Sequence, residues 1–152
     1  MRKSSGFTLI EILIAISIMT VIFSFGLASY ASFNRRQITE QAVQLIVSDL
    51  RLTQSLATNQ EKPSGCSNFR GYSFEVTSSS GSYRILSLCG TPTDYKSISL
   101  NGVTLSGFSK VDFLILSRPP EFTGGRNLMV TESGGSNSKT ITVGISGDIS
   151  AN

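Results

Sequence analysis

Glu11 is the residue whose chemistry is hardest to place, because it is the only charged group in the stretch Phe7 to Ala28, FTLIEILIAISIMTVIFSFGLA. A carboxylate in hydrocarbon costs on the order of 3 kcal/mol on insertion scales and is seldom left without a partner. If the chain is cut after Gly6, the new amine at Phe7 is a positive charge one helical turn away, and a neighbouring subunit would present the same group. Helix packing would then be specified by charge neutralisation. The alternative is a protonated Glu11 near the interface of an ordinary signal anchor, and the residues alone leave both open.

The rest of the chemical inventory is thin. Histidine is absent, which removes the commonest general base and the commonest nitrogen ligand for a metal. No paired nucleophile and base and no phosphate-binding glycine loop stands out; Gly124-Gly125 and Gly134-Gly135 read as turns. Asp94, Asp112 and Glu121 are acids that could converge in space. The expectation is therefore no catalytic residue, no metal site, no cofactor and no enzyme. Cys66 and Cys89 enclose a polar stretch with strand-like patterning. In an oxidising compartment they would form one disulfide, contributing about 3 kcal/mol on the chain-entropy model; in a reducing one they would be two separately buried thiols.

Charge points away from nucleic acid. The formal charge is +3, but Arg2 and Lys3 precede the apolar run, and without them 11 basic residues face 10 acidic ones. Arg118, Arg126 and Lys139 could form a basic patch, with the loop from Ser117 to Arg126 as a gripping element for DNA, a surface or an export substrate; scattered cations are more often solvated surface.

The elements that must position these groups begin with the apolar run. A helix over 7–28 spans about 33 Å, enough for a bilayer core. It is longer than the apolar region of a secretory signal peptide, and Gly6 stands ahead of it, so cleavage on the cytoplasmic side of the run is the better fit. Arg2 and Lys3 on one flank are matched by Arg35 and Arg36 on the other, so charge does not orient the span, while a disulfide favours an external C-terminal domain.

Residues 31–58 contain no Pro or Gly, and Ile38, Ala42, Leu45, Ile46, Leu50 and Leu56 recur at helical spacing opposite a polar face, with 59–65 as a stop. The period then changes to two. Strands are expected around Tyr72 to Val76, Tyr83 to Leu88, Tyr95 to Leu100, Val103 to Leu105, Val111 to Leu116, Leu128 to Thr131 and Thr140 to Ile145. The expected organisation is a leader at 1–6, a membrane or filament-core helix at 7–30, its amphipathic continuation at 31–58 and a β-rich domain at 59–152. This is an α+β class in which the second half of a long N-terminal helix packs on an antiparallel β domain.

Arg2-Lys3-Ser4-Ser5-Gly6 followed by Phe7-Thr8-Leu9-Ile10-Glu11 closely resembles the cleavage and methylation motif of type IV prepilins and pseudopilins. The resemblance implies a pilin-like fold and a prepilin peptidase that cuts after Gly6 and methylates the Phe7 amine. It also implies that Glu11 pairs with a neighbouring subunit's amino terminus. Many major pilins have a proline where Ala28 stands, which leaves Gly26 as the weak point of this helix. Gln41 to Ala57 and Thr140 to Ile149 are similar to the helix and closing strand of the GspH/FimT group of minor pseudopilins and minor pilins, although Asp148 stands where a basic residue often follows the glycine. The partners this implies are the peptidase, other pilin or pseudopilin subunits, an assembly platform and the bacterial cytoplasmic (inner) membrane, crossed once with the C-terminal domain outside. The function it implies is initiating or capping a type IV pilus or type II secretion pseudopilus, with a membrane-anchored binding module as the alternative.

Overall fold

Helix α1 runs from Leu9 to Thr58 in the computed structural model, which describes residues 7–116, 118–135 and 137–152, leaving aside the side chains of 25–28 and 31. The chain divides into two compact units, Met1–Arg35 and Arg36–Asn152. The leader expected at 1–6, including Gly6, and the side chain at Ala28 lie outside the described residues.

In the second unit, α1 buries Thr39, Ala42, Val43, Ile46, Asp49, Leu50, Thr53, Leu56 and Ala57. Their spacing of three and one keeps them on one side of a helix. Gln41, Gln44, Ser48, Arg51 and Ser55 are exposed on the other. Leu45, expected in the apolar stripe, is 38% exposed, because the buried side is centred on Ile46 and Leu50 and takes in Thr39, Asp49 and Thr53 instead. The helix ends in a reciprocal pair of backbone bonds, Glu61 N–H to the Leu56 carbonyl at 3.1 Å and Gln60 N–H to the Ala57 carbonyl at 3.1 Å. Gln60 at φ 53° takes the left-handed position of this cap.

Nine strands follow: β1 (Gly71–Ser78), β2 (Ser82–Leu88), β3 (Thr93–Ser99), β4 (Val103–Gly107), β5 (Lys110–Leu114), β6 (Glu121–Thr123), β7 (Asn127–Glu132), β8 (Ser138–Val143) and β9 (Ile149–Ala151). They form a five-stranded sheet in the order β3-β2-β1-β5-β6 and a four-stranded sheet in the order β4-β7-β8-β9. All pairs are antiparallel. Alternation sends Tyr72 and Phe74 of β1 inward beside Phe113 and Val111 of β5, their register partners. Phe74 stacks on Tyr83 with ring centroids 4.7 Å apart. Ile46 and Leu50 of the helix, Ile85 of the larger sheet and Leu105, Leu128 and Ile141 of the smaller one belong to the same core. This is the expected α+β arrangement.

The differences have local causes. Strand β5 stops at Leu114, not Leu116, because Leu116 adopts φ 65° and turns the chain out. Strand β8 stops at Val143, leaving Ile145 exposed in a turn closed by Gly147 N–H to the Gly144 carbonyl. Strands β6 and β9 have three residues each, too short for an alternating pattern to register.

The helix is tied to the larger sheet by a buried polar cluster. Asp49 is 2% exposed, accepts a hydrogen bond from the Tyr83 hydroxyl at 2.9 Å and pairs with Lys96 Nζ at 2.7 Å. Burial, then the hydrogen bond to Asp49 and its charge, raises the Tyr83 phenol well above its ordinary value of 10.0. In the unfolded chain this phenol ionises near its ordinary value while the folded one stays protonated. Stability linked to Tyr83 is therefore intact below about pH 10 and lost as the pH rises beyond it. Denaturant titrations from pH 8 to 11 should show that loss, and Tyr83→Phe should flatten it; an unchanged slope would count against the assignment.

Candidate functional site

The first unit places Phe7, Thr8 and Glu11 at the start of α1. Thr8 precedes the helix and Glu11 is in its first turn, the spacing of a capping box. The Glu11 backbone N–H donates to Thr8 Oγ1 at 3.4 Å, and the Thr8 N–H donates to Glu11 Oε2 at 3.5 Å. The bond that reaches the carboxylate, from the Thr8 N–H, is long, so the carboxylate is loosely held. It also sits where the helix dipole favours negative charge. Phe7 is 79% exposed. Thr8 carried a legible signal, a Thr three residues ahead of a Glu before an apolar run, that the charge-pairing expectation for Glu11 did not include.

Beyond this turn the helix is apolar on every side. Leu9, Ile10, Ile12, Leu13, Ile14, Ile16, Ile18, Met19, Val21, Ile22 and Phe23 are all exposed, with no stripe that could mark one buried face. The hydroxyls among them turn inward on the backbone: Ser17 donates to the Leu13 carbonyl, Thr20 to Ser17 and Ser24 to Thr20, each at 2.8 Å. Such bonding leaves no side-chain donor in need of water. Among the described residues no helix is long and apolar enough to cross a membrane. The described side chains of the run end at Ser24, so a span over 7–30 rests on the sequence.

The other candidates separate. Cys66 and Cys89 form a disulfide with Cα atoms 5.5 Å apart, joining the loop after α1 to the end of β2. Asp112 and Glu121 face each other across β5 and β6, while Asp94 lies on β3 at the far edge of that sheet. Asp112 is paired with Lys110 at 2.8 Å and Asp94 with Arg84 at 3.7 Å, so the three acids do not converge. Among the described residues no cluster of acids or cysteines could hold a metal ion. The alternative of a basic patch loses Lys139, which pairs with Glu40 at 3.1 Å. The Asp49, Tyr83 and Lys96 cluster went unnoticed in the sequence, where one acid among apolar helix positions is its only trace.

Residues 1–27 match the family model of the prokaryotic N-terminal methylation motif. The chain carries the type IV prepilin signal. That signal implies a type IV pilin-like or pseudopilin-type precursor, processed by a prepilin peptidase, anchored in a membrane and then incorporated into a filament of pilin subunits. The helix packed on an antiparallel β domain agrees with a pilin-like fold. No curated protein and no solved structure matches the chain.

The disulfide makes a direct prediction for the β domain. Replacing Cys66 and Cys89 by Ser should lower its unfolding free energy by about 3 kcal/mol. A thermal melt of the parent protein in dithiothreitol should reproduce the shift, and a melt unaffected by either change would show that the bridge contributes nothing.

Proposed function

We propose that this prepilin is cut between Gly6 and Phe7, methylated on the new Phe7 amine, and used as a minor subunit that initiates or caps a type IV pilus or a type II secretion pseudopilus. The observation that carries this reading is the prepilin signal directly ahead of a helix exposed and apolar on every side. Burying a large apolar side chain contributes about 2 kcal/mol, so a surface of this kind drives strongly toward lipid or other helices. On leaving the bilayer, the helix would exchange lipid contacts for contacts with neighbouring subunits. Residues 1–6 act as the leader, 7–30 as the membrane and filament-core segment, 31–58 as the amphipathic half of the helix and 59–152 as the extracytoplasmic β domain.

Glu11 supplies the specificity. A carboxylate accepts more than one donor, so the Thr8 N–H on Oε2 leaves room for the Phe7 amine of the same or a neighbouring chain. The minor-subunit role draws on the likeness of Gln41 to Ala57 to the GspH/FimT group. The partners are the peptidase, other pilin-type subunits, the cytoplasmic membrane and the assembly platform. The signal marks structural subunits, which is why we assign no enzymatic role.

A Gly6→Leu variant should accumulate as uncut precursor, seen by intact-mass spectrometry of the membrane fraction; normal trimming would overturn the processing assignment. Glu11→Ala should be trimmed and methylated as usual yet enter sheared filaments at roughly a tenth of the parent level, the scale of one lost charge pair. Equal incorporation would remove the pairing role.

A further inference from the structure

The end of the second unit at which α1 stops carries two adjoining cavities that assembly through the N-terminal helix does not use. One, of about 150 Å³, is floored by Phe69, Leu114, Ile115 and Leu116 and edged by Arg70 and Arg118. The other, of about 200 Å³, shares Leu114 and Arg118 and continues past Gln54 and Thr58 to Ser146 and Gly147. Together they make a groove that is apolar at one end and polar at the other.

Three features set this groove apart from ordinary surface. Leu116 is 69% exposed in a left-handed backbone conformation, at a cost of about 1–2 kcal/mol that no burial of its side chain offsets. The Ile115 N–H donates to the Arg70 carbonyl at 3.0 Å, which fixes the two walls of the apolar cavity against each other. Two cations share the rim of the apolar cavity. Among the described residues Arg70 and Arg118 form no salt bridge, a state they share with Arg51, Lys62 and Arg126; what distinguishes them is that both line one cavity with Phe69 and Leu116.

We propose that the groove binds an extended acidic segment of another polypeptide. One bulky apolar side chain would lie over Phe69 and Leu116, with neighbouring carboxylates on Arg70 and Arg118. The apolar cavity is about the size that takes a single benzene-sized group, which suits one side chain and not a lipid tail. In the polar cavity Gln54 Nε2 donates to the Gly147 carbonyl at 3.0 Å and the Thr58 hydroxyl to the Gln54 carbonyl at 2.8 Å, so what faces a peptide backbone there is their remaining acceptor oxygens. Two guanidinium groups are enough to select flanking carboxylates but few to follow a phosphate backbone. A second copy of this chain is a poor donor, because no two of its acidic residues are neighbours in sequence. The site is independent of the N-terminal segment.

The test is fluorescence anisotropy with the full chain in detergent micelles and a fluorescein-labelled peptide EDEFDED. We expect saturable binding that weakens with salt, falls roughly tenfold when the phenylalanine is replaced by glycine, and falls at least about tenfold in Arg70→Glu and in Arg118→Glu. Leu116→Gly, which relieves the backbone strain and cannot harm folding by crowding, should weaken the Phe peptide alone. Glu11→Ala should bind as the parent does, which separates this site from assembly. Absence of binding, equal binding of the two peptides, or indifference to both arginines would overturn the proposal. Tighter, arginine-dependent binding of an oligothymidylate would overturn it in favour of nucleic acid.

Discussion

A helix whose side chains are apolar on every face has no stable arrangement alone in water, and the first unit meets that condition from Leu9 to Phe23. The rest of that segment follows from the constraint. Its hydroxyls donate to carbonyls of the preceding turn, so covering the helix by lipid or by other helices leaves no side-chain donor stranded. Its one charge lies in the first turn, where backbone N–H groups are free to meet it. The second unit has its own core of helix and two sheets, so the solvent in which 7–30 finds cover does not decide whether the β domain folds.

The pairing proposed for Glu11 places two demands on one carboxylate. A helix N-terminus in an apolar medium needs its first N–H groups satisfied, and Thr8 with Glu11 does this reciprocally. A carboxylate bonded tightly to the cap would be a poor acceptor for an incoming amine. The carboxylate accepts one long bond here, from the Thr8 N–H at 3.5 Å, which does not saturate it, and a charged amine makes a stronger bond than a neutral backbone N–H. Capping the helix and the pairing proposed for Glu11 are therefore compatible in one side chain.

What the sequence made legible depended on the length over which a pattern repeats. The alternation in β1 and β2 and the helical spacing over 31–58 recur often enough to define their elements, and Cys66 and Cys89 needed only their chemistry. Strands β6 and β9 are too brief to carry a period. Partition into two sheets was hidden because alternation shows that a segment is extended and says nothing of its neighbour. The rotation of α1 was misjudged at Leu45 because Thr39, Asp49 and Thr53, which look polar in isolation, occupy the buried side. Thr53 hides its hydroxyl on the Asp49 carbonyl at 2.6 Å, a local bond that makes a polar residue compatible with burial.

A buried ion pair adds little stability over well-packed apolar residues, so the Asp49 and Lys96 pair calls for another reason. Strand β3 is an edge strand, and most of its residues are exposed, so apolar burial specifies its register weakly. Its pairing with β2 already shifts between Ile85 and Leu86. A slip of one residue would turn Lys96 to the opposite face and leave Asp49 buried with Tyr83 as its remaining side-chain donor in this cluster. Stranding the buried Asp49 carboxylate is costly, although Lys96 is 38% exposed and solvent screens part of the pair, and that cost adds to the weak register preference of a half-exposed strand. The pair thus fixes β3 against β2 and sets the rotation of α1 on the sheet. A lysine drawn inward from an edge strand also guards that edge against pairing with another chain.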